Sequence, residues 1–416
     1  MSVLLTDPAQ VGFEPQRLAR IRPKMQSYID RGVFAGITTM LARRGEIVHF
    51  DQVGHQDRTT KAPLTPDTLY RIYSMTKPII CTALMTLHEE GRFQLFDPVA
   101  KYLPAFGKVR VLESDARGNH RQVAPNQIMT IQQLFTHTSG LTYNFVEESP
   151  VSTMYLEAGL MADAHSPLAS VIDELARFPL ANHPGAAYHY GMSIDVLAHL
   201  IEVIADQPLA DFLQERIFQP LRMTSTGFSV PTDQLDHVAT MYGHPDVATS
   251  TFSEIFTAWQ NGVNAEVDVR ETYPTHGAPN FARGGHGLFS TTADYMRFAQ
   301  MLLNGGVLDG VRILGRKTVA FMHTNHVPTK LLPYRIGPNP PTLGYGFGLG
   351  SRVLLDPAAT AVTGSVGEFG WAGAAKTYYW VDPVEEIVGV FMSQFMMAME
   401  LPDQDFRVLA YQALVD

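Results

Sequence analysis

Two pairs of strand-like segments stand near opposite ends of this chain, with helical patterns between them. Their separation constrains the fold more than any other feature. Residues 36–43 and 47–54 read as strands around the hairpin turn Arg44-Gly45-Glu46. Residues 377–381 and 387–391 flank the turn Asp382-Pro383. Strands joined by hairpins run antiparallel. Helix and strands first, helices in the middle, then strands and a helix predict an α/β (α+β) fold. An antiparallel β-sheet would be flanked by helices, with a mostly helical domain inserted. The expected division is 1–90 with 283–416 as the α/β domain and 91–282 as the helical domain, with irregular lid segments. The active site is expected between the two lobes.

Local signals fill in this outline. Apolar residues at 18, 21, 25 and 29 have helical spacing over 15–31. Thr130 with Gln133 three residues later is a capping-box pattern. Further helices are expected at 167–178, 193–205, 207–219, 292–303 and 403–414. Residues 240–282 are rich in Gly, Pro, His and Thr with little periodicity, which reads as a lid or binding wall. That segment and 325–343 are expected to line the pocket. Residues 344–350 alternate glycine with bulky residues, so one strand face would be bare.

Composition narrows the function classes. A chain of 416 residues with 45% hydrophobic and 17% charged residues is ordinary for a globular protein of one large or two intimate domains. A formal charge of −10 argues against a nucleic-acid partner. Cys81 is the single cysteine, so no intrachain disulfide can form; it falls seven residues after Ser74 and reads as a core residue. The first eight residues lack a basic segment followed by a long apolar one, which leads to the expectation of a cytoplasmic protein. Apolar runs fall well short of about 18 residues, so no membrane span is expected.

The chemistry concentrates at Tyr73-Ser74-Met75-Thr76-Lys77-Pro78. Residues three apart share a helix face, which sets the Ser74 hydroxyl beside the Lys77 amine. A serine is a weak nucleophile until a neighbouring base takes its proton. Residues 67–73 read as an extended approach, Pro78 suits a first helical turn, and Gly91 suits the helix end. Ser74 would then sit at a helix N-terminus, where free N–H groups favour developing negative charge. The surrounding chain offers two more stretches of interest. Pro184-Gly185-Ala186-Ala187-Tyr188-His189-Tyr190-Gly191 is a turn and an aromatic run before a helix. Gly367-Glu368-Phe369-Gly370-Trp371-Ala372-Gly373-Ala374 sets small residues after a tryptophan, which suits close approach of a strand edge to a ligand; core packing of Trp371 is the plainer alternative. No Gly-x-Ser-x-Gly elbow exists; Gly191-Met192-Ser193-Ile194-Asp195 lacks the second glycine and reads as a helix start. The histidines at 137, 183, 189, 244, 276 and 286 lack metal-ligand spacing.

Ser74-x-x-Lys77, Tyr190 and Trp371-Ala372-Gly373, in that order, resemble the serine β-lactamase and penicillin-binding-protein superfamily. The branch it resembles is the family VIII carboxylesterases, with a class C β-lactamase-like fold. The likeness spans nearly the whole chain, including 134–141, Pro184-Gly185, Gly284-Gly285-His286-Gly287-Leu288-Phe289-Ser290 and 345–348. It implies Ser74 as acylated nucleophile, Lys77 as its partner and Tyr190 as the tyrosine of the second motif, with Tyr188 the competing choice. It implies an oxyanion hole from the backbone N–H groups of Ser74 and Ala374, and substrate contacts from Trp371, Gly373 and Tyr188. Neither a metal nor an organic cofactor is needed.

Two departures shape the expected substrate. Trp371-Ala372-Gly373 stands where β-lactamases carry Lys-Thr-Gly, and Met192 stands where the second motif carries Asn. Both remove polar contacts to a β-lactam. The expectation is a serine carboxylesterase for short-chain acyl esters with at most weak β-lactam hydrolysis. The alternatives are an acyltransferase using the same acyl-enzyme, a β-lactamase or D-amino-acid peptidase, and a non-enzymatic binding module.

Overall fold

The end segments meet in one seven-stranded sheet. Its strands are β1 (Gly36–Arg43), β2 (Glu46–Gly54), β3 (Tyr345–Phe347), β4 (Arg352–Leu354), β5 (Phe369–Gly373), β6 (Thr377–Asp382) and β7 (Ile387–Ser393). The spatial order is β3-β4-β5-β6-β7-β1-β2 and every pairing is antiparallel. The closing pair joins residues more than 300 apart in sequence: Ile37 opposes Ser393 and Arg43 opposes Ile387. The computed structural model describes residues 3–115, 117–337 and 339–416.

Period-2 alternation along the central strands feeds two cores. From β1, Met40 and Ala42 enter the larger core while Ile37 and Leu41 enter the smaller. In β7, Val388, Val390 and Met392 go one way and Ile387 and Phe391 the other. Both faces are therefore covered, which explains why β1 and β7 are buried along their whole length and lack an exposed polar face. The smaller core is closed by the Ile21–Asp30 and Pro402–Tyr411 helices, through residues such as Met25 and Phe406. The larger core holds the Thr76–Glu89 and Thr292–Leu303 helices and the helical middle of the chain. Residues 76–87 are all buried. A helix buried on every side belongs in the interior, and this one packs against the Ser193–Ala205 helix.

Several expectations need correction. The single helix expected over 15–31 is two, Pro15–Leu18 and Ile21–Asp30. Pro23 has no N–H to give the Ala19 carbonyl, so the helical ladder breaks at Ala19-Arg20. The segment 207–219 is an α-helix only over Leu209–Leu213 and continues as a wider π turn over Gln214–Phe218. Residues 240–282 are not wholly irregular: Phe252–Gln260 is a helix, started by a capping box between Thr251 and Glu254. The Thr130–Gln133 capping box forms as expected, and the Ser193–Ala205 and Thr292–Leu303 helices match their expected spans. Among the described residues, no helix is long and apolar enough to cross a membrane.

Candidate active site

Ser74 is delivered by a short extended segment and a tight turn. Tyr70–Arg71 pairs with Phe289–Ser290, and the Ile72 N–H bonds the Leu288 carbonyl at 3.0 Å. The chain then bends through Tyr73, whose φ of 42° is uncommon for a residue with a side chain. A 3-10 turn over Tyr73–Met75 carries Ser74, and the Thr76–Glu89 helix follows at once. The Ser74 hydroxyl is thus presented at the helix start and stays partly accessible beside a buried lysine.

Three side chains converge there. Lys77 Nζ donates to Ser74 Oγ at 3.0 Å, and the Tyr190 hydroxyl donates to the same oxygen at 2.8 Å. Lys77 is 1% exposed, and its Nζ also donates to the Gly285 carbonyl at 2.5 Å. It lies 4.8 Å from the ring centre of Tyr190 and 5.2 Å from that of Tyr143. Tyr190 is braced by His137, with ring centres 4.6 Å apart, and by Trp371 at 5.7 Å. Tyr188 turns elsewhere: it packs on Tyr334 at 4.2 Å, and its buried hydroxyl has no partner among the described residues. Geometry therefore pairs Ser74 with Tyr190, not with its competitor.

The β5 strand brings the third motif against the serine turn. A Cβ on Gly373 would fall 2.4 Å from the Ile72 carbonyl oxygen and 2.3 Å from Thr377 Oγ1, so only glycine permits this approach. The next residue is Ala374. Among the described residues, the backbone N–H groups of Ser74 and Ala374 have no hydrogen-bond acceptor. The Ala374 carbonyl is fixed by the Met397 N–H at 2.7 Å. Trp371 packs on Tyr190, its ring 5.1 Å from Phe347, and its indole N–H has no partner among the described residues.

Several contributors escaped sequence reasoning. Asp195, 1% exposed, accepts the Gly285 N–H at 2.8 Å and bonds the Tyr143 hydroxyl at 3.3 Å. Burial pushes its carboxyl up, against the opposing pull of the Lys77 charge and the Gly285 N–H. A Cβ on Gly285 would lie 2.3 Å from both Asp195 Oδ2 and Tyr143 Oη, which accounts for glycine there. His137 is held well below the usual histidine range, first by burial and then by the charges of Lys77 and His189. Consecutive glycines at 284 and 285 were the legible signal of close approach; the rest needed the fold.

Two adjoining cavities share part of their lining, and the first reaches Tyr190. One of about 410 Å³ is lined by Tyr190, Tyr188, His189, Glu147, Glu148 and Arg335, among others. His189 Nε2 is 3.2 Å from Glu147 Oε1. Burial alone would raise the Glu147 carboxyl, but hydrogen bonds and charge from His189 outweigh it and hold the group below its usual range. The second cavity, of about 380 Å³, shares Val146, Phe252 and Gly337 with the first and is mostly apolar. Residues from 240–282 and 325–343 line both, as expected; Pro338 lies outside the described residues. No group of three His, Cys, Asp or Glu among the described residues could hold a metal ion.

Comparison with known proteins identifies the family. Residues 19–413 match the family described as Beta-lactamase. Protein Rv1367c of Mycobacterium tuberculosis (strain ATCC 25618 / H37Rv) is 34% identical over 369 residues, covering 88% of this chain and 87% of its own. Esterase EstB of Burkholderia gladioli is 27% identical over 390 residues, with 92% of each chain covered. The solved structure of EstCE1, described as a hydrolase with promiscuous acyltransferase activity, is 26% identical with a TM-score of 0.76, covering 95% of this chain and 99% of its own. The chain belongs to the Beta-lactamase family, as a family VIII carboxylesterase-like member of the serine penicillin-recognising superfamily.

Proposed function

We propose that this protein is a serine carboxylesterase that hydrolyses small-molecule acyl esters through an acyl-enzyme on Ser74. The observation that carries this reading is the Ser74 oxygen within hydrogen-bond reach of both Lys77 and Tyr190. Ser74 Oγ attacks the ester carbonyl carbon while the Lys77–Tyr190 pair takes its proton. The unpartnered N–H groups of Ser74 and Ala374 receive the oxyanion; one such donor contributes about 2.7–4 kcal/mol in comparable sites. The pair returns the proton to the leaving alkoxide as its C–O bond breaks. Water then attacks the acyl-enzyme with the same proton path, releasing the acid and restoring Ser74.

Lys77 and Tyr190 contact one oxygen and act as a single acid–base unit. Asp195, Gly285 and Tyr143 hold that unit in place. We also assign Ser74 and Ala374 to one lobe, 1–90 with 283–416, and Tyr190 to the other, 91–282, so that substrate enters between them.

Ester rather than β-lactam is favoured by Trp371 and the buried Met192 at positions where a drug carboxylate and amide would need polar partners. The test is a pair of rates on one preparation, p-nitrophenyl butyrate against nitrocefin. Fast ester cleavage with little nitrocefin turnover supports the reading; comparable nitrocefin turnover replaces it with a β-lactamase. The likeness to EstCE1 favours acyl transfer as a second outcome of the same acyl-enzyme. Product analysis with an added alcohol separates transfer from hydrolysis.

A further inference from the structure

We propose that the apolar cavity beneath the Phe252–Gln260 helix is the acyl subsite, and that it selects medium-length alkyl or aromatic acyl groups rather than the short chains expected from family resemblance. This rests on the esterase reading above.

The helix is built to present an aromatic face. Phe252, Phe256 and Trp259 fall at i, i+4 and i+7, which share one side of a helix. Their rings adjoin in series, with centres 5.8 Å and then 5.3 Å apart. Ile255 and Ala258 are buried and anchor the helix, whereas Phe256 is 40% and Trp259 38% exposed. All three aromatics line the cavity, together with Ile336, Pro340, Met397 and Met399. A contiguous exposed aromatic surface inside a concavity marks a site for an apolar ligand. Methionines add a wall that adapts to differently shaped groups.

One lining residue ties the cavity wall to the proposed oxyanion site. Met397, one of its lining residues, donates its N–H to the carbonyl of Ala374, whose own N–H faces the ester in the proposed mechanism. The two cavities are continuous in their lining through Val146, Phe252 and Gly337. Proton transfer decides which arm goes where. The leaving oxygen must lie near Tyr190, because the Lys77–Tyr190 pair protonates it. Tyr190 lines the first cavity, so the alcohol arm lies there, beside Glu147, His189 and Arg335. The acyl arm leaves the carbonyl carbon in the other direction, over Ala374 and Met397 into the aromatic cavity.

The test measures kcat/KM on the full chain for p-nitrophenyl acetate, butyrate, octanoate and phenylacetate. It is repeated for Phe256→Ala, Trp259→Ala and Met399→Trp, the last filling the cavity from an exposed rim position. Octanoate and phenylacetate are expected to exceed acetate by about tenfold or more, since each buried methylene adds a severalfold preference. Each variant is expected to lower the octanoate-to-acetate ratio by about fivefold. A companion pair, ethyl octanoate against octyl acetate, is expected to favour the long acyl arm. Acetate as the best substrate, an unchanged ratio in all three variants, or a preference for octyl acetate would overturn the proposal while leaving an esterase. No hydrolysis of any ester, or hydrolysis that survives Ser74→Ala, would remove the esterase reading and the proposal with it.

Discussion

Asp195 and Lys77 are joined through a single residue: Asp195 Oδ1 takes the Gly285 N–H at 2.8 Å, and the Gly285 carbonyl takes Lys77 Nζ at 2.5 Å. The carboxylate therefore fixes the residue whose carbonyl fixes the lysine. Asp195→Ala should leave the Gly285 N–H buried without an acceptor, lowering stability by about 1.5–3 kcal/mol. Asp195→Asn keeps an acceptor oxygen and should lose much less. Urea unfolding of the two variants checks this; equal losses would mean that Asp195 contributes by charge alone.

Tyr190→Phe removes the hydroxyl but keeps the ring packed between His137 and Trp371. Ester kcat should fall by about 10²–10⁴-fold, the usual contribution of general acid–base catalysis, with an unchanged circular dichroism spectrum. Tyr188→Phe, whose hydroxyl does not reach Ser74, should fall far less. Equal losses at the two positions would contradict the assignment.

Gly373→Ala forces a methyl group against the Ile72 carbonyl and Thr377. β5 must then move away from the serine turn and carry the Ala374 N–H with it. Activity should drop by about 10²–10³-fold, as for loss of one oxyanion donor. Steady-state kinetics on p-nitrophenyl esters gives the answer: a loss confined to KM would place Gly373 in binding only.

Buried histidines set an acid limit on stability. Burial lowers His323 to about 4 and His286 to about 3, from an ordinary 6.5. The unfolded chain thus binds protons below pH 6.5 that the folded chain refuses, so stability falls as pH drops from 6.5 toward 4. The slope is about 1.4 kcal/mol per pH unit for each group. His286 has no partner on either ring nitrogen among the described residues. His286→Phe should therefore reduce the slope, seen in urea midpoints at pH 7.5 and 5. An unchanged slope would show that His286 is charged in the fold.

The sequence made the sheet legible because its hairpins are local: Arg44-Gly45 and Asp382-Pro383 announce themselves by turn chemistry. The pairing of β7 with β1 was only implied, since no local signal specifies a contact across more than 300 residues. Ser74, Lys77 and Tyr190 were legible through spacing and resemblance together. Asp195 was not, because it occurs in a mostly apolar helix and acts through Gly285 rather than on Ser74. The Phe252–Gln260 helix was missed although its Thr251–Glu254 capping box was readable; surrounding Gly, Pro and Thr masked it.

The central claim is a covalent acyl group on Ser74. Intact-protein mass spectrometry after rapid acid quench of a reaction with p-nitrophenyl octanoate tests it directly. The account predicts a mass increase of one octanoyl group, mapped by peptide digestion to Ser74 and absent from Ser74→Ala. Turnover in Ser74→Ala, or an acyl group mapped to another residue, would contradict it.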